Sequence, residues 1–334
     1  MSSPGRLAVV LAVLLLAAWP AGGQELRFFQ LGTGPTGETR FPIGGLIANA
    51  LSNPPGSREC ERGGSCGVPG LVAVAKSTGG SAANVEALRT RRLDAALVHA
   101  DIAFWANHGV GPYKGKAVPN LRGIAMIYPE TLHLVVRRDS GIREVGDLKG
   151  KRVSLGEADT PLASHGRLIL GAWGLGEKQV RLVPLKTAAA TEALAAGQID
   201  AFLALDGPPL PVLSELARTT PLTLLPLDGG PAERLRAQNP FLTPGTIPAG
   251  SYEGQDQAVP TLAVGVMLLA PAEADEELIY GVTRALWHPS TQRLLLQGSP
   301  RGRLVQLDAA ALPRMGIPLH PGAATYYADL RIPF

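Results

Sequence analysis

The chain has 334 residues, of which 46% are hydrophobic and 18% are charged, and its 31 basic and 28 acidic residues give a formal net charge of +3. The charges are scattered along the chain and form no basic stripe, which argues against a nucleic-acid partner or an anionic membrane surface. A chain of this length can build two α/β domains and bury a sizeable core.

The first residues are typical of a secretory signal peptide. Arg6 precedes the apolar run Leu7–Ala18, and Ala21 and Gly23 supply the small residues that a signal peptidase needs. The run is shorter than the roughly 20 residues that cross a bilayer. We therefore expect residues 1–23 to be removed and the protein to reach the periplasm, with its net charge falling to +2 through the loss of Arg6. A retained membrane anchor is the alternative.

The stretch GTGPTGETRFPIGG begins at Gly32, between a predicted strand RFFQL and a helix that should start near Thr39. Its first six residues fit the dinucleotide pattern G-x-G-x-x-G, which also needs an acid near the end of the next strand. That strand, LVAVA, ends in Lys76 and Ser77 instead. We therefore predict a turn that presents N–H groups and hydroxyls to a different anion at a helix N-terminus.

Two cysteines, Cys60 and Cys66, lie in the loop NPPGSRECERGGSCGVPG. In an exported protein this pair should form a disulfide, and because no histidine lies within thirty residues of either thiol, we expect no metal site. The segment GGSCG also fits the G-x-S-x-G nucleophile elbow, but it lies in a Pro/Gly loop and not in a strand-to-helix turn. An exported hydrolase that uses Ser65 is therefore an alternative with weak support.

From Leu26 onward, short apolar strands alternate with amphipathic helices, which favours parallel sheets with helices on both faces. The segments Val85–Leu97 and Thr191–Leu203 align without gaps, and each describes a helix, a tight turn and a strand. A chance match is one explanation of this similarity. The other is that two lobes use the same helix–turn–strand unit, and this is the explanation we prefer.

Two apolar segments, Leu132–Ile142 and Val259–Ala270, should carry the chain from one lobe to the other and back. The predicted organisation is lobe 1 from residues 24–131 plus 262–334 and lobe 2 from residues 132–261. Two α/β lobes joined by two hinge strands enclose a cleft, where small ligands bind.

Three turns rich in glycine and hydroxyl groups, at 32–39, 76–81 and 157–164, stand at strand-to-helix junctions, where the helix dipole favours an anion. Ser81 and Thr160 are predicted N-caps, and ordinary capping is the alternative function of each turn. The predicted cleft residues are Thr33, Thr36, Gly37, Phe41, Ser77, Thr78, Gly80, Ser81, His99, Asp101, Tyr128, Glu130, Thr160 and Ser164. Phe41 would pack on the apolar part of the ligand. A helix cap at Asp101, a surface position for His99 and structural packing of Tyr128 are the alternatives.

The turn GTGPTGETRFPIGG, the cysteine loop with GVPGLVAVAKSTGGSAANVEAL, and the segments ALVHADIA, IYPETLHLVV and TIPAGSYEGQ resemble the TAXI family of solute-binding proteins, which serve TRAP transporters. The resemblance implies a two-lobed, type II-like periplasmic-binding-protein fold. It also implies a small carboxylate ligand such as glutamate, glutamine or 2-oxoglutarate. Pro35, Glu38, Arg40 and His99 depart from the residues common in that family, and these departures leave the ligand open.

The sequence therefore predicts a non-enzymatic, monomeric binding protein without a cofactor. Its partners would be a small organic anion, either a carboxylate or an amino acid, and the membrane subunits of a TRAP transporter. A sensor that presents its ligand to a membrane receptor is a further alternative.

Overall fold

The computed structural model describes residues 26–158 and 160–334. The predicted signal peptide lies outside these described residues. Among them, no helix has both the length and the apolarity that a membrane crossing requires.

The strands of the described chain belong to one ten-stranded sheet and one small two-stranded sheet. Strand boundaries are β1 Arg27–Gly32, β2 Ser52–Asn53, β3 Val68–Pro69, β4 Leu71–Lys76, β5 Ala95–His99, β6 Leu121–Arg137, β7 Arg152–Ser154, β8 Arg181–Leu182, β9 Ala201–Asp206, β10 Leu222–Leu225, β11 Leu242–Ile247 and β12 Val259–Pro271.

Helices alternate with the strands of the large sheet along the chain, as the sequence pattern predicted. Their boundaries are α1 Arg40–Leu51, α2 Ser81–Arg89, α3 Ala100–His108, α4 Pro161–Ala172, α5 Thr187–Ala195, α6 Pro211–Thr219, α7 Gly229–Gln238, α8 Glu276–Leu286, α9 Pro289–Gly298 and α10 Pro321–Asp329. Short 3-10 segments occupy Cys60–Arg62, Gly111–Tyr113, Arg138–Ser140, Val145–Leu148, Glu177–Gln179, Gly302–Leu304 and Ala309–Met315.

The two halves of the large sheet repeat one strand order. The first half runs β4-β1-β5-β12-β6, and the second runs β8-β7-β9-β6-β10. In each half three parallel strands are followed by an antiparallel one. The similar segments Val85–Leu97 and Thr191–Leu203 contribute to equivalent strands, β5 and β9. The structure therefore supports a duplicated helix–turn–strand unit over a chance match.

The strand β6 belongs to both halves of the sheet, and it pairs with β12 from Leu121–Pro271 to Thr131–Ala263. β6 begins eleven residues before the hinge segment that the sequence predicted at Leu132, because the prediction did not join the apolar residues on either side of Pro129 into one strand. The exact lobe boundaries at 131/132 and 261/262 stay predictions.

One hydrophobic cluster contains Phe29, Ile43 and Leu97 from the first lobe and extends to Val153 and Ile169 in the second. A smaller cluster around Phe202, Leu213 and Leu224 lies within the second lobe. The predicted disulfide joins Cys60 to Cys66 and closes the loop that follows α1.

Candidate functional site

The carboxyl ends of β1, β4 and β5 lead into the helices α1, α2 and α3, and the polar side chains at these junctions meet around Arg40. This arginine is the first residue of α1 and is 4% exposed. Its Nη1 donates to the Ser81 hydroxyl at 2.7 Å, and its Nη2 donates to a carboxylate oxygen of Glu38. The buried Nε has no partner within the described residues. The site is thus organised around a buried guanidinium with donor capacity to spare.

Two glycines make room for these side chains. A Cβ at Gly34 would lie 2.9 Å from a Glu38 carboxylate oxygen and 3.4 Å from Arg40 Nε. Gly80 has a φ of +97°, a conformation that favours glycine, and faces Arg40 Nη2. The glycine-rich turns therefore let the backbone pass close to charged side chains of this chain.

Ser81 connects Arg40 to His99, which ends β5. The serine hydroxyl accepts from the His99 backbone N–H at 3.1 Å and lies 3.3 Å from His99 Nδ1. On the other side of the ring, His99 Nε2 lies 2.6 Å from a carboxylate oxygen of Glu130, and the Tyr128 hydroxyl donates to the other oxygen at 3.2 Å. Tyr128 and Glu130 lie on β6, where the strand leaves the first lobe. A continuous polar chain therefore runs from Arg40 to the hinge.

Burial decides the protonation of these hydrogen-bonded side chains. Desolvation and the charge of Arg40 together lower the pKa of His99 to about 3, against an opposite effect of Asp101. Desolvation also raises the pKa of Glu130, against the effect of Arg40. Both shifts disfavour the charged forms, as expected for groups away from water. One proton shared between His99 Nε2 and Glu130 satisfies both partners.

Asp206, at the end of β9, receives contacts from two segments of the predicted first lobe. Thr39 donates to its Oδ1 at 2.5 Å, and Arg301, which follows α9, lies 3.5 Å from the same oxygen. Arg301 also donates to the Pro209 carbonyl. Burial raises the pKa of Asp206, and the nearby Glu130 raises it further. These contacts hold β9 against residues of the predicted first lobe.

A second contact between the lobes pairs Asp101, in the first turn of α3, with His165 on α4. Asp101 Oδ2 and His165 Nε2 lie 3.1 Å apart, and both side chains are 1% exposed or less. The two groups are not aligned for a hydrogen bond, and all four of their polar atoms lack a partner within the described residues. Desolvation lowers the pKa of His165, which Asp101 opposes.

Five of the residues predicted for the cleft therefore lie in two clusters, the first around Arg40 and the second formed by Asp101 and His165. They are Ser81, His99, Asp101, Tyr128 and Glu130. The alternative of a surface position for His99 is wrong, because its side chain is buried. The predicted N-cap role of Ser81 is also wrong, because Gly80 occupies that position and Ser81 is the first helical residue.

Other predicted residues lie outside the clusters. The Thr33 hydroxyl donates to the Lys76 carbonyl inside the first lobe. Thr36, Gly37 and Ser77 are exposed. Thr36, Gly37 and Ser77 therefore lie on the solvent-exposed side of the turns, whereas Thr33 is buried.

Phe41, Thr78 and Gly80 lie at the edge of the first cluster. Phe41 and Thr78 are half-buried, and the Thr78 hydroxyl accepts from the Gly80 N–H. A role for any of them in binding stays a prediction.

In the second lobe, Thr160 caps α4 as predicted. Its hydroxyl accepts from the Ala163 N–H at 3.3 Å and donates to the Glu157 carbonyl at 2.7 Å. The Ser164 hydroxyl donates to the Thr160 carbonyl. Ser164 and Trp105 also line a cavity of about 560 Å³ that has walls from both lobes. The hydroxyls of this turn are used mainly by the helix itself.

Six site residues were absent from the predicted set, namely Glu38, Thr39, Arg40, His165, Asp206 and Arg301. The sequence carried a signal for two of them, since Glu38 and Arg40 depart from the pattern of the resembling family. Polar residues after β1 and at the end of β9, such as Arg40 and Asp206, were a second signal of a binding site. No comparable signal marked His165 or Arg301, which reach the site through lobe packing.

Ser65 lies inside the disulfide loop, where its hydroxyl donates to the Ser52 carbonyl and accepts from the Gly67 N–H. Within the described residues, none of its hydrogen bonds joins it to a histidine. The strand-to-helix geometry of a nucleophile elbow is therefore not present at Ser65.

The sequence matches the NMT1-like family over residues 31–329. The chain belongs to the NMT1-like family. This match covers most of the described residues of both lobes. The narrower assignment to TAXI proteins stays a prediction.

The chain is similar to solved structures, and the first of the two described next shows its fold. PhnD1 from Prochlorococcus marinus (MIT 9301) in complex with methylphosphonate matches at 11% identity with a TM-score of 0.52, over 92% of this chain and 99% of that one. The alkanesulfonate-binding protein SsuA from Xanthomonas axonopodis pv. citri, bound to MOPS, matches at 18% identity with a TM-score of 0.46, over 93% of this chain and 96% of that one. The NMT1-like chain thus has the two-lobed periplasmic-binding-protein fold.

Proposed function

We propose that this protein is the extracytoplasmic solute-binding subunit of a TRAP transporter. It captures a small organic acid, either a carboxylate or an amino acid, between its lobes and delivers it to the membrane permease. The observation that carries this proposal is the Arg40 guanidinium, which is buried at the start of α1 and whose Nε has no partner among the described residues. A buried cation with a spare donor is a natural partner for an acid group.

The free energy needed for such binding is within reach of this cluster. A hydrogen bond to a charged group contributes roughly 1.5 to 3 kcal/mol net. Micromolar binding requires about 8 kcal/mol. Arg40, Ser81 and the N–H groups at the start of α2 would supply enough contacts, and Thr39 with Asp206 would hold the lobes closed around the ligand.

Several independent features support this proposal. The fold encloses a cleft between two lobes that share two long strands, and PhnD1, with the same fold, holds methylphosphonate. The predicted signal peptide would place the protein in the periplasm. The TAXI resemblance supports glutamate, glutamine or 2-oxoglutarate as first candidates, and delivery driven by an ion gradient.

Ligand binding is tested by a thermal-shift screen of carboxylates and amino acids on the mature chain. A ligand at a hundred times its dissociation constant should stabilise the protein by about 2.7 kcal/mol. Isothermal titration of each hit would give the affinity and a stoichiometry of one. Absence of any shift with folded protein across the screen would contradict the proposal.

The transporter class is tested by reconstituting the protein with the permease encoded beside it. Uptake of the identified ligand into proteoliposomes should follow a sodium or proton gradient without ATP. Uptake that requires ATP would replace the TRAP assignment with an ATP-driven one. Association with a receptor kinase, without uptake, would favour the sensor.

A further inference from the structure

The carboxylate of Glu38 is the acid in direct contact with the buried guanidinium of Arg40. One of its oxygens, Oε2, accepts a hydrogen bond from Arg40 Nη2. Glu130 also acts on Arg40 electrostatically, but its own hydrogen bonds join it to His99 and Tyr128. Within the described residues, Glu38 is therefore the acid that occupies the place next to this cation.

Glu38 uses only half of the guanidinium edge that it contacts. The N–H bonds of Nε and Nη2 point in the same direction, so one carboxylate can bind both through two parallel hydrogen bonds. Glu38 Oε2 accepts from Nη2, whereas Arg40 Nε has no partner among the described residues. The pair is thus a one-oxygen contact at an edge that can bind two oxygens.

Two other pairs in this chain show the complete form of the contact. Arg89 donates from Nε and Nη2 to the two carboxylate oxygens of Glu86, at 2.8 and 2.7 Å. Arg152 binds the two oxygens of Asp200 through the same two nitrogens, at 3.1 and 2.8 Å. The incomplete contact is therefore a property of the Glu38 pair, and it leaves one donor of the buried cation free.

The two partners of this pair differ in their access to water. The Arg40 side chain is 5% exposed, whereas the Glu38 side chain is 38% exposed. Water screens a partly exposed carboxylate and weakens its hold on a cation. Glu38 is thus the solvent-facing part of the pair, and an anion that reaches Arg40 by this edge must take its place.

The turn leaves room for Glu38 to move away. Its backbone N–H donates to the Pro35 carbonyl at 3.0 Å, which fixes the main chain but not the side chain. Apart from its neighbours in the chain, a Cβ added at Gly37 would meet no described atom within 4 Å. At Gly34 the missing Cβ leaves space beside Arg40 Nε, from which such a Cβ would lie 3.4 Å away. A side-chain rotation of Glu38 into solvent therefore opens a space the size of a carboxylate.

We propose that Glu38 is an internal occupant of the acid-binding position, and that the acid group of the ligand displaces it and takes both donors of the Arg40 edge. This inference rests on the proposed binding function and adds the regulation of the same site. Because the chain is competent to bind only when Glu38 has moved away, the apparent affinity is lowered by the fraction of time that Glu38 stays in place. Glu38 therefore excludes anions that offer Arg40 no more than its own single oxygen.

The test uses two substitutions of Glu38 and calorimetric titration of the mature chain with L-glutamate and 2-oxoglutarate. Glu38→Gln keeps the size of the side chain but removes the charge that holds it on Arg40. It should bind an acid at least tenfold more tightly than the wild type, a difference of about 1.4 kcal/mol. Glu38→Asp keeps the charge but is one methylene shorter, and it should bind at least threefold more tightly. In stopped-flow measurements most of the gain should lie in the association rate, because Glu38 has to leave before the ligand binds.

The matched control is Glu86→Gln, which removes the same charge from an exposed glutamate–arginine pair of the same lobe. Its affinity should stay within twofold of the wild type. A gain in either Glu38 variant that Glu86→Gln lacks supports displacement, and Glu38→Asp decides the question if Glu38→Gln does not fold.

The outcomes separate the two proposals. If an acid binds the wild type and neither Glu38 variant binds it more tightly, displacement is overturned and the binding function stands. An equal gain in Glu86→Gln would assign the effect to net charge and would also overturn it. If neither acid binds the folded wild type or the folded variants, both proposals fail.

Discussion

The two lobes repeat one strand order, yet they differ in what they place in the cleft. The first lobe contributes Arg40, Ser81, His99 and Asp101 from three neighbouring strand-to-helix junctions. The second contributes Asp206 and His165, while the hydroxyl at its helix start, Thr160, is used as a cap. Under the proposed function, we expect the same topology to carry ligand contacts in one lobe and closure contacts in the other.

The largest effect on ligand binding is expected from a substitution of Arg40. Arg40→Gln removes the guanidinium that binds Ser81 and Glu38, and we expect a loss of about 1 to 3 kcal/mol, because Ser81 is buried but the Glu38 side chain is 38% exposed and partly screened by water. We expect urea denaturation to show a loss of this size and calorimetry to show at least a hundredfold weaker binding of any acid ligand. The control is Arg92→Gln, at an exposed arginine of the same lobe. Binding within threefold of the wild type would show that the acid group lies elsewhere.

The closure contacts are tested at Asp206. Asp206→Ala removes the acceptor shared by Thr39 and Arg301, so the open form should become more populated. We expect an increased radius of gyration in small-angle scattering without ligand. Affinity should fall about tenfold, which is about 1.4 kcal/mol, with most of the change in the dissociation rate.

The matched control for Asp206→Ala is Asp200→Ala. Asp200 is also an acid of the second lobe paired with an arginine, but its partner Arg152 belongs to the same lobe. This variant should lower stability without changing the scattering profile of the folded protein. An equal change in scattering by both variants would refute the closure role of Asp206.

The predictability of the molecule from sequence follows the range of the interactions. Local patterns located the strands β1, β4 and β5 and the Thr160 cap, because periodicity and capping act within a few residues. The glycine-rich turn was correctly placed at a helix start, but the cation inside it, Arg40, was treated as a departure from a family pattern. Its partners Ser81 and Glu130 lie 41 and 90 positions away in the chain. Contacts such as Asp101 with His165 depend on how the lobes pack, which no local pattern encodes.

The last comparison sets His99 of the first lobe against His133 of the second. His133 Nδ1 lies 3.0 Å from the Thr131 carbonyl and its Nε2 lies 3.0 Å from the Tyr252 hydroxyl, inside the lobe. Burial and, to a smaller extent, the charge of Arg301 lower the pKa of His133 to about 4, although the hydrogen bond to the Thr131 carbonyl acts in the opposite direction. The folded state therefore keeps this ring neutral down to about pH 4, whereas the unfolded chain binds the proton below about 6.5. Its contribution to stability is fully present above pH 6.5 and declines as the pH falls toward 4.

Chemical denaturation of His133→Gln between pH 7 and pH 4.5 should show a pH slope reduced by up to about 1.4 kcal/mol per pH unit, the value for one proton. Ligand affinity at pH 7 should stay within threefold of the wild type, because this ring faces the interior of its lobe. His99→Gln should instead weaken binding, since that ring connects Ser81 to Glu130. A reduction of the pH slope of the same sign is expected there, because burial lowers the pKa of His99 to about 3. Equal effects of the two variants on affinity would mean that the lobes do not divide binding and closure between them.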